Sequence, residues 1–99
     1  MRGPRHRKVA AINAARDHAL RQGVDVGGVI YHIDDTFLVE LLAMVLGYQL
    51  GLLSGTQPIR TLQDTTRQMS LAQITALAGA VIARRKALYQ ASWAQKDSI

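Results

Sequence analysis

The segment TFLVELLAMVLGYQLGLL, Thr36 to Leu53, constrains this chain more than any other. It is apolar on almost every side of a helix, and Glu40 is its only charge. Ala43, Gly47, Gly51 and then Gly55 recur four apart. That spacing lays a groove along one helix face, where a second backbone can come close. Such a segment is a membrane span, the central helix of a small core, or part of an interface between chains.

Its flanks decide against the span. Phe37 to Leu53 sits at the bottom of the spanning range of about 17–25 residues. Glu40 lies inside it and Gln49 within its second half. A charge in a spanning helix costs about 2.5–3.5 kcal/mol at the bilayer centre. The residues just before it are Asp34 and Asp35, which suit a water-facing helix start. With Asp34 as N-cap, Ile33 and Leu38 occupy the two positions of a hydrophobic staple. Asp35 then adds a negative charge to the first turn, where the helix dipole favours it. Ser54, Gly55 and Pro58 are read as the stop. The segment is therefore expected to be a helix of a soluble fold, largely buried. Its surplus apolar surface is expected to mark a contact with another chain.

The rest of the chain reads as one domain. A first helix is expected from about residue 5 or 7 to Gln22, with Val9, Ile12, Ala19 and Leu20 on one face. Arg16 falls near that face and is expected to snorkel or pair with a carboxylate. Gly23 is its stop. Val24–Val26 and Val29–Ile33 flank Gly27-Gly28, a two-residue hairpin turn. The register pairs Val24 with Tyr31 and Val26 with Val29, putting these four and Ile33 on the core face. His32 and Asp25 are expected to point the other way. Ile59–Met69 reads as a second, shorter hairpin of open register. Ser70-Leu71-Ala72-Gln73 is a capping box, with Met69 and Ile74 as its staple. The helix it opens is expected to run to about Lys96. Leu71, Ile74, Leu77, Ala78, Val81, Leu88 and Tyr89 form its apolar face, which Arg85 interrupts. An alanine stripe lies opposite. The expected fold is thus α+β: one small domain over residues 9–99, in the order α-β-β-α-β-β-α, with three helices and two hairpins.

The chain has 99 residues and no cysteine, which excludes a disulfide scaffold, a thiol nucleophile and a Cys-based zinc site together. Its three histidines, His6, His18 and His32, are scattered and lack the i, i+4 pairing of a helical metal site. Gly27-Gly28 is not followed by the Lys-Ser/Thr of a phosphate loop. Asp34 and Asp35 are accounted for by capping, and Glu40 is expected to neutralise Arg16 or Arg85 in the core. No catalytic constellation, metal site or cofactor is expected, and the chain is read as a non-enzyme.

The net charge of +5 concentrates at one end. Arg2, Arg5, Arg7 and Lys8 lie in the first eight residues, and without them the chain is close to neutral. Residues 1–8 are read as a basic arm, flexible in solution. The arm also supports a second reading, a nucleic-acid-binding regulator that uses those four cations on phosphates. Arg84-Arg85-Lys86 does not extend that reading, because three consecutive helix residues point in three directions. Tyr89 and Trp93 near the end of the last helix are candidate partner anchors, beside Ala43, Gly47 and Gly51.

The stretch IRTLQDTTRQMSLAQITALAGAVIARRKALYQASWAQKDSI resembles the end of an uncharacterised domain family. Its members are encoded among bacteriophage and prophage tail and tail-fibre genes. INAARD at residues 12–17 and GGVIYHIDD at 27–35 resemble the family's first helix and hairpin. The ending ALYQASWAQKDSI is the most specific part, and the likeness spans residues 9–99. It implies a phage-tail context in the virion tail or the host cytoplasm during assembly. The implied role is non-enzymatic, as a minor tail component or a tail-fibre assembly chaperone. The implied partners are further copies of itself or a tail-fibre protein. A membrane-active phage lysis protein is the remaining alternative. The family brings no site residues to carry over.

Overall fold

The computed structural model describes residues 4–99. Helix α1 runs Pro4–Arg21, strands β1 and β2 are Val24–Val26 and Val29–Tyr31, and helix α2 is Asp35–Gln49. Strands β3 and β4 are Gln57–Arg60 and Thr66–Met69, and helix α3 is Leu71–Asp97. The order is the expected α-β-β-α-β-β-α of a small α+β domain.

Local chemistry explains most boundaries. Pro4 opens α1, where its missing N–H costs nothing. The helix therefore takes in Arg5, Arg7 and Lys8, so the arm expected over residues 1–8 is helical from residue 4. Residues 1–3, Arg2 among them, lie outside the described residues. Gly27 and Gly28 both have positive φ, the geometry of a tight hairpin turn, and the Gly28 N–H donates to Asp25 Oδ1 at 2.9 Å. The register is as expected: Val24 opposite Tyr31 and Val26 opposite Val29. Strand β2 ends at Tyr31, earlier than expected, yet Ile33 remains buried.

Asp34 caps α2, its Oδ1 accepting from the Phe37 N–H at 2.8 Å. Ser70 and Gln73 form the expected capping box of α3. The second hairpin starts before Ile59, because Pro58 is a strand residue rather than only a helix stop. Its register pairs Gln57 with Met69 and Ile59 with Arg67. In the connecting loop, Thr61 is buried, and its hydroxyl lies 2.7 Å from that of Thr65. The Leu62 N–H donates to Ile30 O at 2.8 Å, tying the second hairpin to the first.

The core is assembled on α3. Ile74, Leu77, Ala78 and Val81 meet Tyr31, Ile33, Phe37, Leu41, Ile59 and Met69. Leu71, expected on that core face, is exposed instead, because it is the first residue of the helix and lies at the edge of the layer. Helix α1 contributes no fully buried residue. It lies antiparallel along the C-terminal half of α3: Lys8 shares a groove with Ile99, and Ala19 shares one with Leu88. This two-helix arm makes the molecule elongated, 56 × 27 × 22 Å.

Candidate interaction face

Helix α2 is buried on one side only. Phe37, Leu41 and Gly47 are buried, with Leu38, Met44, Val45 and Tyr48 packed partly against the core. The opposite side carries Val39, Leu42, Leu46 and Leu50, all exposed. Leu46 and Leu50 are 54% and 63% open, and Leu52, just past the helix, is 75% open. With Ala43 among them, these residues recur every three or four positions, which places them along one stripe. No charged residue falls between Glu40 and Arg60, so the stripe is charge-free over most of its length.

The helix ends at Gln49, four residues earlier than expected. Gly51 adopts a φ of 73°. Its N–H donates to Tyr48 O at 3.1 Å, and the Leu52 N–H donates to Gly47 O at 2.8 Å. This pair of bonds is the Schellman termination, and it needs a residue that tolerates positive φ at the position after the cap. Glycine followed by leucine was the signal for it in the sequence.

That early stop corrects the groove expected from Ala43, Gly47 and Gly51. Gly51 has left the helix, so the three no longer share a face. Gly47 is filled from within: a Cβ there would stand 2.8 Å from Leu53 Cδ1. The chain turns back and seats its own Leu53 on the space that Gly47 leaves. Ala43 alone of the three remains on the outer face. The sequence does not single out the outward leucines, because almost every face of the segment is apolar. Periodicity cannot separate an inner from an outer side when both are hydrophobic.

The other expected anchors divide. Trp93 is 54% exposed, with its ring centroid 6.0 Å from that of Tyr89. Tyr89 is half-buried between two guanidinium groups, Arg16 at 4.8 Å and Arg85 at 5.8 Å from its ring centroid. It is therefore bound into its own fold. Arg85 donates to Ile33 O at 2.6 Å and pairs with the Asp35 carboxylate. Arg16 pairs with its neighbour Asp17 at 3.1 Å. Glu40 takes neither arginine and is exposed, which corrects the expected core neutralisation. Asp35, one turn earlier, stands where Arg85 crosses the start of α2.

Two clefts flank the N-terminal end of α2. One, about 270 Å³, lies against β3 and is lined by His32, Phe37, Glu40, Met44 and Arg60 among others. The other, about 410 Å³, surrounds Arg85 and Tyr89. The histidines stay apart: His18 bonds Gln22 at 2.9 Å. His32 does not point away as expected but lies half-buried, its ring 5.7 Å from that of Phe37. Arg5, Arg7 and Lys8 are exposed on the first two turns of α1. Among the described residues, no helix is long and apolar enough to cross a membrane.

These features define a small α+β domain with an open apolar face on its central helix, free of charge beyond Glu40. The chain belongs to the family described as a domain of unknown function, DUF4376, which it matches over residues 4–99. No curated protein and no solved structure matches it.

Proposed function

We propose that this protein acts through protein–protein contacts in the assembly of a phage tail, as a minor tail component or a tail-fibre assembly factor. The observation that carries the contact reading is the outer face of α2. Val39, Leu42, Leu46 and Leu50 stand open along a helix of a chain this small, and Glu40 is the one charge between them. Exposed apolar stripes of that kind are costly in water and usually mark an association surface. The phage-tail setting rests on the resemblance quoted above for residues 9–99. No catalytic chemistry is required of the chain in this role.

The test is made in infected or lysogenic cells with Leu46→Glu, a change at a half-open position, with circular dichroism of the purified variant as the fold control. Loss of infectious particles with wild-type levels of folded protein supports the reading; an unchanged particle yield refutes it. Mass spectrometry of purified virions separates the two versions. A tail component travels with the particle, and an assembly factor does not.

One observation favours a second reading, a nucleic-acid-binding regulator. Arg5, Arg7 and Lys8 stand on the first two turns of α1, and no acidic residue precedes Asp17. Four phosphate contacts, with Arg2, give a slope of about −3.6 for log K against log salt. DNA binding with that slope, lost on removal of residues 1–8, supports the regulator. Absence of binding at low salt ends it.

A further inference from the structure

The two ends of the molecule carry opposite charge. Residues 4–21 and 84–97, which make up the α1–α3 arm, hold nine Lys and Arg against Asp17 and Asp97. Residues 22–83 hold two Arg against five Asp and Glu. The chain beyond Lys8 is close to neutral only as a sum, because folding sorts its charges and brings the cations of the last helix beside those of the first. Of the nine, Arg85 is engaged by Ile33 O and Asp35, and Arg16 by Asp17. The other seven have no ion-pair partner among the described residues.

Such a field attracts any polyanion. Trp93 selects among them. It is the one tryptophan of the chain, stands 54% exposed and takes no part in the core. Lys86, Tyr89, Trp93 and Lys96 recur at three, four and three residues, so they share one face of α3 over about 15 Å. Tyr89, held by Arg16 and Arg85, lies 6.0 Å from the Trp93 ring and supports it. Arg21 stands at the near end of this face, in the cleft it lines with Arg85 and Tyr89.

From this geometry we infer that this face of α3 binds single-stranded nucleic acid, with a base stacked on Trp93 and the neighbouring phosphates met by Lys86, Lys96 and Arg21. This rests on the nucleic-acid reading above and moves its centre from the N-terminal cations to a face built by the fold. A single strand offers both things the face can use, phosphates for the cations and free base faces for the ring. A duplex offers the phosphates, but its bases are already stacked on one another. An acidic peptide brings charge alone, and the negative face of an aromatic ring repels its carboxylates. A membrane-bound helix needs a broad apolar side. On the arm, Trp93 is the only large apolar side chain that stands exposed.

Because the chain has one tryptophan, the emission of Trp93 reports the contact directly. The full chain is titrated at low salt with a short oligothymidylate, and in parallel with a mixed-sequence duplex, heparin and phosphatidylserine vesicles. The oligothymidylate is expected to quench Trp93 and to bind more tightly than the other three. Trp93→Ala, followed by anisotropy of a labelled oligonucleotide, is expected to bind about 5- to 150-fold more weakly, with Trp93→Phe in between. Both variants are expected to keep the wild-type circular dichroism spectrum. Lys86→Gln combined with Lys96→Gln is expected to flatten the slope of log K against log salt by about 1.4. Binding that leaves Trp93 emission unchanged overturns the inference. So does an affinity unaltered in Trp93→Ala, or equal or tighter binding of duplex, heparin or vesicles.

Replacing Arg5, Arg7 and Lys8 together by Gln separates this inference from the reading beneath it. Binding lost in that variant yet intact in Trp93→Ala leaves the N-terminal cations as the site and removes this face. Binding intact there yet lost in Trp93→Ala leaves this face and removes the N-terminal site. No binding of the wild type at low salt ends both.

Discussion

A Cβ placed on Gly47 would stand 2.8 Å from Leu53 Cδ1 and 3.0 Å from its Cγ. The glycine is there to receive Leu53 after the chain has reversed at Gly51. Gly47→Leu is therefore expected to overpack an intramolecular contact and cost about 1–3 kcal/mol. Pairing it with Leu53→Ala makes room, so the double variant should recover part of that loss in a denaturant-unfolding cycle. Strict additivity would show that Leu53 is not the neighbour that matters. Arg85 supports a second residue-level argument, because its two bonds differ in worth. The Asp35 carboxylate is 86% exposed, and a pair on so open a group contributes at most about 1 kcal/mol. The bond to Ile33 O is partly buried and holds the backbone just ahead of the α2 cap. Arg85→Ala is thus expected to cost about 2 kcal/mol and Asp35→Asn less than 1. Equal losses in urea unfolding would contradict that ranking.

Among the elements, α1 is the least committed to the core. It has no fully buried residue, and its packing partner is the C-terminal half of α3. Few buried apolar contacts mean a low free energy of local opening. Amides of Ala10 to Ala19 are expected to exchange faster than those of Ile74 to Val81. Equal protection would mean that α1 opens only with the whole fold. The same contrast explains what the sequence made legible. The caps at Asp34 and Ser70 and the Gly27-Gly28 turn are signals over a few neighbouring residues, so both starts and the first register could be read directly. The end of α2 could not, because Gly51 fits a four-residue small-residue spacing as well as it fits a cap. Nor could the outer stripe of Leu42, Leu46 and Leu50, since burial of one side of a uniformly apolar helix is decided by distant elements. Arg85 chose Asp35 over Glu40 for a related reason. The choice depends on how α2 lies across α3, and local pattern does not encode a crossing.

At the scale of the molecule, the radius of gyration is 16.7 Å, against about 13 Å for a compact domain of this length. The α1–α3 arm accounts for the extension, and the core is confined to the other end with the two hairpins and α2. A core confined to one end, with an open apolar face beside it, leaves the single chain short of buried surface. Of the partners that the resemblance implies, a further copy bound through α2 would supply it and make the stability of the fold depend on concentration, whereas a tail-fibre protein would not. For a dimer that unfolds to two chains, mass action raises the midpoint as the protein is concentrated. With an unfolding enthalpy of about 0.7 kcal/mol per residue over both chains, a tenfold increase in concentration should raise the Tm by about 3–4 °C. A monomer shows no such shift. The measurement is a calorimetric or circular dichroism melt at three concentrations spanning two decades, with Leu46→Glu as the comparison. A wild-type midpoint that climbs while that of Leu46→Glu stays level would tie the stability of the fold to the α2 face. Two level lines would instead mean that the compact end is stable by itself.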